Sequence, residues 1–150
     1  LTAGVRDGLK RPRGVDVVTW TAIGNPASSA FTMVVRLSPI STAGTQGYLS
    51  IRIAADSSNA VCIMIRSGGS FKVEGFGGGS APDLTSGVSP TAGSWYDVAY
   101  TWDGLTVGRI YVNGVERATN GTAPQSFTPG RLHVGTALAR VLLLQAAQLR

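Results

Sequence analysis

The chain has 150 residues, enough for one domain with a core of its own. Hydrophobic residues make up 43% and charged residues 14%, the latter well below the usual value of about 25%; with 20 glycines, this excludes a helical bundle or a disordered tail and suits an all-β domain with short turns. Thirteen basic residues, all arginine except Lys10 and Lys72, stand against eight acids, for a net charge of +5 that favours anionic partners but carries no information about fold.

Residues 1–14 are polar and basic around Lys10-Arg11-Pro12-Arg13. They read as an N-terminal arm ahead of a single domain over 15–150. The chain opens on Leu1 rather than Met, as a processed product or a piece of a longer polypeptide would. No signal-like stretch opens it, and no apolar run approaches the roughly 20 residues that span a membrane.

Val15 to Ile23 is the first strand candidate, and Gly24-Asn25-Pro26 follows as a turn. Phe31 to Leu37 alternates, with Phe31, Met33, Val35 and Leu37 on one face. Tyr48 to Ile53 alternates again, Leu49, Ile51 and Ile53 against Ser50 and Arg52. Ala60 to Arg66 is apolar on both faces, the pattern of a strand covered on both sides. Cys62 within it is the one cysteine, so no intrachain disulfide can form. That fits a cytosolic, virion or bacterial protein and a buried structural thiol.

Phe71 to Phe76 is a shorter strand that runs into Gly77-Gly78-Gly79-Ser80. This is a loop and not a phosphate cradle, because no Lys-Ser/Thr pair or helix follows it. Tyr96, Val98, Tyr100 and Trp102 alternate with Asp97, Ala99 and Thr101. Arg109 to Val112 and Val115 to Ala118 flank Asn113-Gly114, the strongest short hairpin signal in the chain, because a type I′ turn needs φ > 0 at both central residues. Leu132 to Val134 is another short strand. Residues 137–150 carry no Gly or Pro and favour helix by composition. A closed sandwich needs a late strand, so the reading here is a strand over about 138–144 with a short helical or frayed end. There is no internal repeat.

The stretch Trp95 to Glu116 resembles the laminin-G-like, concanavalin-A-like modules: a Trp, then Val-Ala, then Thr-Trp-Asp-Gly, then Tyr-Val-Asn-Gly. Phe31 to Ser38 and Leu132-His133-Val134-Gly135 are similar to the family's early and late strands. The resemblance implies an antiparallel two-sheet jelly-roll β-sandwich of the concanavalin-A-like kind. In that frame Trp95 is expected to be a large anchor over one end of the core, and Asp103-Gly104 a turn. It also implies recognition or display rather than chemistry.

Departures from the family narrow this further. Calcium-binding members use acidic loop residues and an acid pair in the last strand, whereas 138–144 here contains no acid. Calcium through backbone carbonyls remains compatible with the sequence but is not favoured; no cofactor is expected. The related glucanases carry two Glu and an Asp on one strand, and a retaining glycosidase needs two carboxyls about 5 Å apart. The two glutamates, Glu74 and Glu116, have no other acid within three residues. His133 is the sole histidine, which leaves no basis for a Ser-His-Asp triad or a zinc site. The expectation is that the chain is not an enzyme.

Candidate ligand contacts are the outward arginines Arg36, Arg52 and Arg66, which form a row if their strands are neighbours. Guanidiniums pair bidentately with sulfate, phosphate or carboxylate. A rim of Trp20, Tyr48, Tyr111 and Asn113 could stack on sugar rings. Two functions follow. One is a non-enzymatic module that binds glycans or a cell-surface polysaccharide. The other is a structural decoration or tail-associated protein of a bacteriophage-like virion, or of another large assembly, held by neighbouring subunits. Both place it at an extracellular or virion surface, as an oligomer or part of an assembly. Nucleic acid is not expected, since no aromatic-plus-basic RNA-binding sheet motif occurs, and neither is membrane insertion.

Overall fold

Alternating apolar residues build most of the molecule. In the computed structural model the described residues are 16–19, 24–52, 59–66, 69–77, 81–129, 131–135 and 138–145. They form eleven strands: β1 (Asp16–Thr19), β2 (Phe31–Ser38), β3 (Gln46–Arg52), β4 (Ala60–Ile65), β5 (Phe71–Phe76), β6 (Asp83–Thr85), β7 (Tyr96–Trp102), β8 (Gly108–Val112), β9 (Val115–Asn120), β10 (Arg131–Val134) and β11 (Leu138–Gln145). All pair antiparallel, in two sheets. The six-stranded sheet runs β1-β10-β3-β4-β5-β6 and the five-stranded sheet runs β11-β2-β7-β8-β9. This is an all-β jelly-roll sandwich.

The inward faces meet in one core. Phe31, Met33, Val35 and Leu37 of β2 pack with Val98, Tyr100 and Trp102 of β7 and Ile110 and Val112 of β8. Facing them are Leu49 and Ile51 of β3, Val61, Ile63 and Ile65 of β4, Phe71 and Val73 of β5, Leu84 and Leu132. Each such side chain stabilises the fold by roughly 1.5–3 kcal/mol relative to exposure. Edge-to-face ring pairs join them: Phe31 with Tyr100 at 5.7 Å and Phe71 with Tyr96 at 5.0 Å. Pairs of this geometry add about 0.5–1.5 kcal/mol each.

The hairpin forms as its sequence predicts. Asn113 (φ 52) and Gly114 (φ 78) both take the left-handed conformation between β8 and β9. Asn113 also ties the turn to β7: Asp97 N–H donates to its Oδ1 at 2.9 Å, and its own N–H donates to the Asp97 carbonyl at 2.7 Å. The late segment is strand, and β11 lies along β2 in full register from Leu138↔Ser38 to Gln145↔Phe31. Gly104 (φ 86) sits in the β7–β8 turn, where a Cβ would meet the Ala30 backbone nitrogen at 2.8 Å.

Two expectations are corrected. Trp95 is no core anchor: it is 49% exposed, because it shares the outward parity of Asp97 and Ala99, and Trp102 fills the inward position instead. Tyr48 is not on a rim but fully buried. The β3–β4 register shifts between Gly47 and Leu49, and that bulge turns Tyr48 inward beside Phe71, with ring centroids 6.2 Å apart. The basic arm over 1–14 and the loop residues 78–80 lie outside the described residues, as does the helical or frayed end expected after 145.

Candidate ligand-binding face

Strand pairing lays whole rows of residues across the outer face of the six-stranded sheet. One row runs Val17, His133, Ser50, Cys62, Glu74, Asp83, with each residue the register partner of the next. The next row runs Thr19, Arg131, Arg52, Ala60, Phe76. A third pairs Gly47 with Met64, Met64 with Lys72 and Lys72 with Thr85. Small residues at the centre, Gly47, Ser50, Ala60 and Cys62, leave the face hollow. The result is an open groove of about 430 Å³ whose lining includes Ser50, Arg52, Cys62, Met64, Phe76 and His133.

Its floor is mixed. Met64, Ala60 and Phe76 supply apolar surface, while Ser50, Arg52 and His133 supply hydrogen-bonding groups. Arg52 Nη2 donates to Ser50 Oγ at 3.0 Å, and Arg52 Nε is buried with no hydrogen-bond partner. Burial, and secondarily the Arg52 charge, lower the pKa of His133 below its ordinary 6.5. The ring is therefore neutral at neutral pH and offers one donor and one acceptor nitrogen. Burial pushes the Cys62 thiol up to about 12, so it is protonated at neutral pH. Among the described residues no group of three or more His, Cys, Asp or Glu side chains is placed to hold a metal ion.

The three arginines do not form one row. Arg36 lies on β2 of the five-stranded sheet, exposed, 3.9 Å from Asp97. Arg52 and Arg66 share the outer face of the six-stranded sheet at opposite ends. Arg52 is opposite Ala60, and Arg66 stands six residues further along, roughly 20 Å away at about 3.4 Å per residue. Arg66 is engaged elsewhere: its Nε donates to Glu74 Oε2 at 2.9 Å and its Nη2 to Glu74 Oε1. Of the aromatic rim, Tyr111 is on the five-stranded sheet with its hydroxyl donating to Glu116 at 3.2 Å. Asn113 is spent on the hairpin, and Trp20 is outside the described residues. Ser50, Cys62, Met64, Phe76 and His133 were missed as a group, although alternation alone puts Ser50 on the face of Arg52.

The chain matches the profile described as the concanavalin A-like lectin/glucanases superfamily, of laminin-G type, over residues 13–139. No curated protein sequence matches it. Among solved structures it resembles domain 4 of AbnA, an extracellular GH43 arabinanase from Geobacillus stearothermophilus in complex with arabinotriose. That match has a TM-score of 0.61 and 13% identity, and covers 79% of this chain and 62% of that one. Carbohydrate-binding module CBM66 from Bacillus subtilis matches with a TM-score of 0.57 and 18% identity, over 90% and 81% of the two chains. The CBM40 of the Ruminococcus gnavus IT-sialidase, bound to α2,3 sialyllactose, matches with a TM-score of 0.59 and 14% identity, over 77% of each chain. At these identities the likeness is one of fold.

Proposed function

The chain belongs to the concanavalin A-like lectin/glucanases superfamily, and within it we propose that this domain is a non-catalytic module that binds oligosaccharide across the outer face of its six-stranded sheet. The observation that carries the reading is the groove: an open trough of about 430 Å³ whose floor combines the apolar Met64, Ala60 and Phe76 with the hydrogen-bonding Ser50, Arg52 and His133. Sugar rings present apolar C–H faces and a rim of hydroxyls, and a floor of that kind meets both. The absence of catalysis is part of the proposal. Glu74 is held in ion pairs with Arg66 and Lys72.

Related solved domains support the reading by their fold and by their bound sugars: arabinotriose in one, sialyllactose in another. The module is proposed to act at an extracellular or virion surface. No helix among the described residues is long and apolar enough to cross a membrane.

The test is an immobilised oligosaccharide panel probed with the unmodified protein and with Gly47→Phe. A Cβ at Gly47 makes ordinary contact with Cys62 Sγ at 3.5 Å, so the ring occupies the trough without disturbing the backbone. We expect binding to at least one oligosaccharide class, lost by more than tenfold in a Gly47→Phe protein that retains its β-sheet circular dichroism. Binding unaffected by that substitution would contradict the groove as the site. Assembly into a particle without any sugar binding would favour a subunit held by protein neighbours.

A further inference from the structure

We propose that Arg52 is an anion anchor and that the groove takes acidic saccharides, through a carboxylate or sulfate group seated on the Arg52 guanidinium. The inference rests on the oligosaccharide reading above and adds the chemical class of ligand.

Arg52 differs from four other cations on or beside the strands. Arg36 faces Asp97, Arg109 faces Glu116 at 3.5 Å, Lys72 faces Asp83 at 2.9 Å, and Arg66 is forked onto Glu74. Among the described residues no carboxylate pairs with Arg52. Among the described residues its Nη2 donates to the neutral Ser50 hydroxyl, while its Nε–H is buried and unpartnered. A buried donor on a charged group is costly to leave unmade, and it marks the place where a partner belongs. The Nε–H and a neighbouring Nη–H form the two-pronged edge that matches two oxygens of a carboxylate or sulfate.

The surroundings favour a negative guest. The cross-sheet row through Arg52 holds Thr19, Arg131, Ala60 and Phe76 and no acid. Arg131 is its direct register partner on β10. Among the described residues the acids of the face, Glu74 and Asp83, lie on β5 and β6 at its far edge. Glu74 is two strands from β3, about 10 Å at roughly 4.8 Å per strand. In the cross-sheet row of Arg52, Phe76 offers apolar surface, two strands away, to the ring that carries the acid group.

The experiment compares matched oligosaccharides: a neutral hexose oligomer, its uronate counterpart and its sulfated counterpart. Each is titrated at about 0.15 M salt into the unmodified protein, Arg52→Gln and Arg36→Gln. The last removes the same charge from the other sheet. The expected result is at least tenfold tighter binding of the uronate or the sulfated form than of the neutral one. Arg52→Gln abolishes that preference, and Arg36→Gln preserves it; which acidic form gains more identifies the group. Equal affinity for neutral and acidic forms in the unmodified protein overturns the proposal while leaving the oligosaccharide reading intact, and this arm does not depend on the variants folding. A preference lost equally in Arg36→Gln reduces it to net charge and also overturns it. Binding of none of the three refutes both readings.

Discussion

At the scale of single residues, conformation and hydrogen bonding make separable predictions. Gly114 has φ 78 and open space where a Cβ would go. A Gly114→Val substitution is therefore penalised by backbone conformation and not by collision. It should cost about 1–3 kcal/mol, the usual penalty for a β-branched residue held at φ > 0, measured by denaturant unfolding; an unchanged midpoint would contradict the turn. Asp103 closes the β7–β8 turn. Its Oδ1 accepts from the N–H groups of Leu105, Thr106 and Val107 at 2.8, 2.8 and 3.0 Å. Those bonds, led by Val107 and Leu105, lower its pKa from 3.8 to about 2. A carboxylate with a depressed folded pKa contributes stability that is complete above the unfolded value and is lost as pH falls through the folded one. The melting temperature of the unmodified protein should therefore carry a contribution that disappears between about pH 4 and pH 2. Asp103→Ala should melt lower at pH 7 and lack that contribution. Equal melting curves at pH 7 would refute the role. The Asn113-Gly114 and Asp103-Gly104 pairs were legible beforehand because turn chemistry is local: φ > 0 and an Asx cap depend on neighbours in sequence.

At the scale of elements, alternation revealed strands and faces well wherever one side is buried. The set Phe31, Met33, Val35, Leu37 was readable, as was the all-apolar run of β4. β6 went unnoticed because three residues, Asp83–Thr85, are too few to show a period. Tyr48 was misplaced because a bulge inserts an extra residue and reverses parity from there on. β4 is the most demanding strand to alter, with all six residues buried. Ile63 sits between Leu49 and Val73 in register. Ile63→Ala should cost about 2–5 kcal/mol, the range for emptying a close-packed core position. A loss under 1 kcal/mol by chemical denaturation would mean that the two sheets are not packed through this strand.

At the scale of the whole molecule, the candidate site depends on which sheet each strand joins, and single-strand patterns do not contain that. Arg36, Arg52 and Arg66 each read as outward, and each is. Yet Arg36 is carried to the five-stranded sheet, and Arg66 to the far end of the other. The groove instead gathers β10, β3, β4 and β5, so His133 comes beside Ser50 although 83 positions separate them in sequence. The candidate face is thus a product of topology, with local sequence supplying the small residues that hollow it. Backbone amide chemical shifts of isotope-labelled protein, followed during titration with the oligosaccharides described above, test this account most directly. The account predicts that the largest changes fall on Ser50, Arg52, Cys62 and His133 and saturate together. Changes centred on Arg36, Asp97 and Tyr111 of the opposite sheet, or no changes with any oligosaccharide, would contradict it.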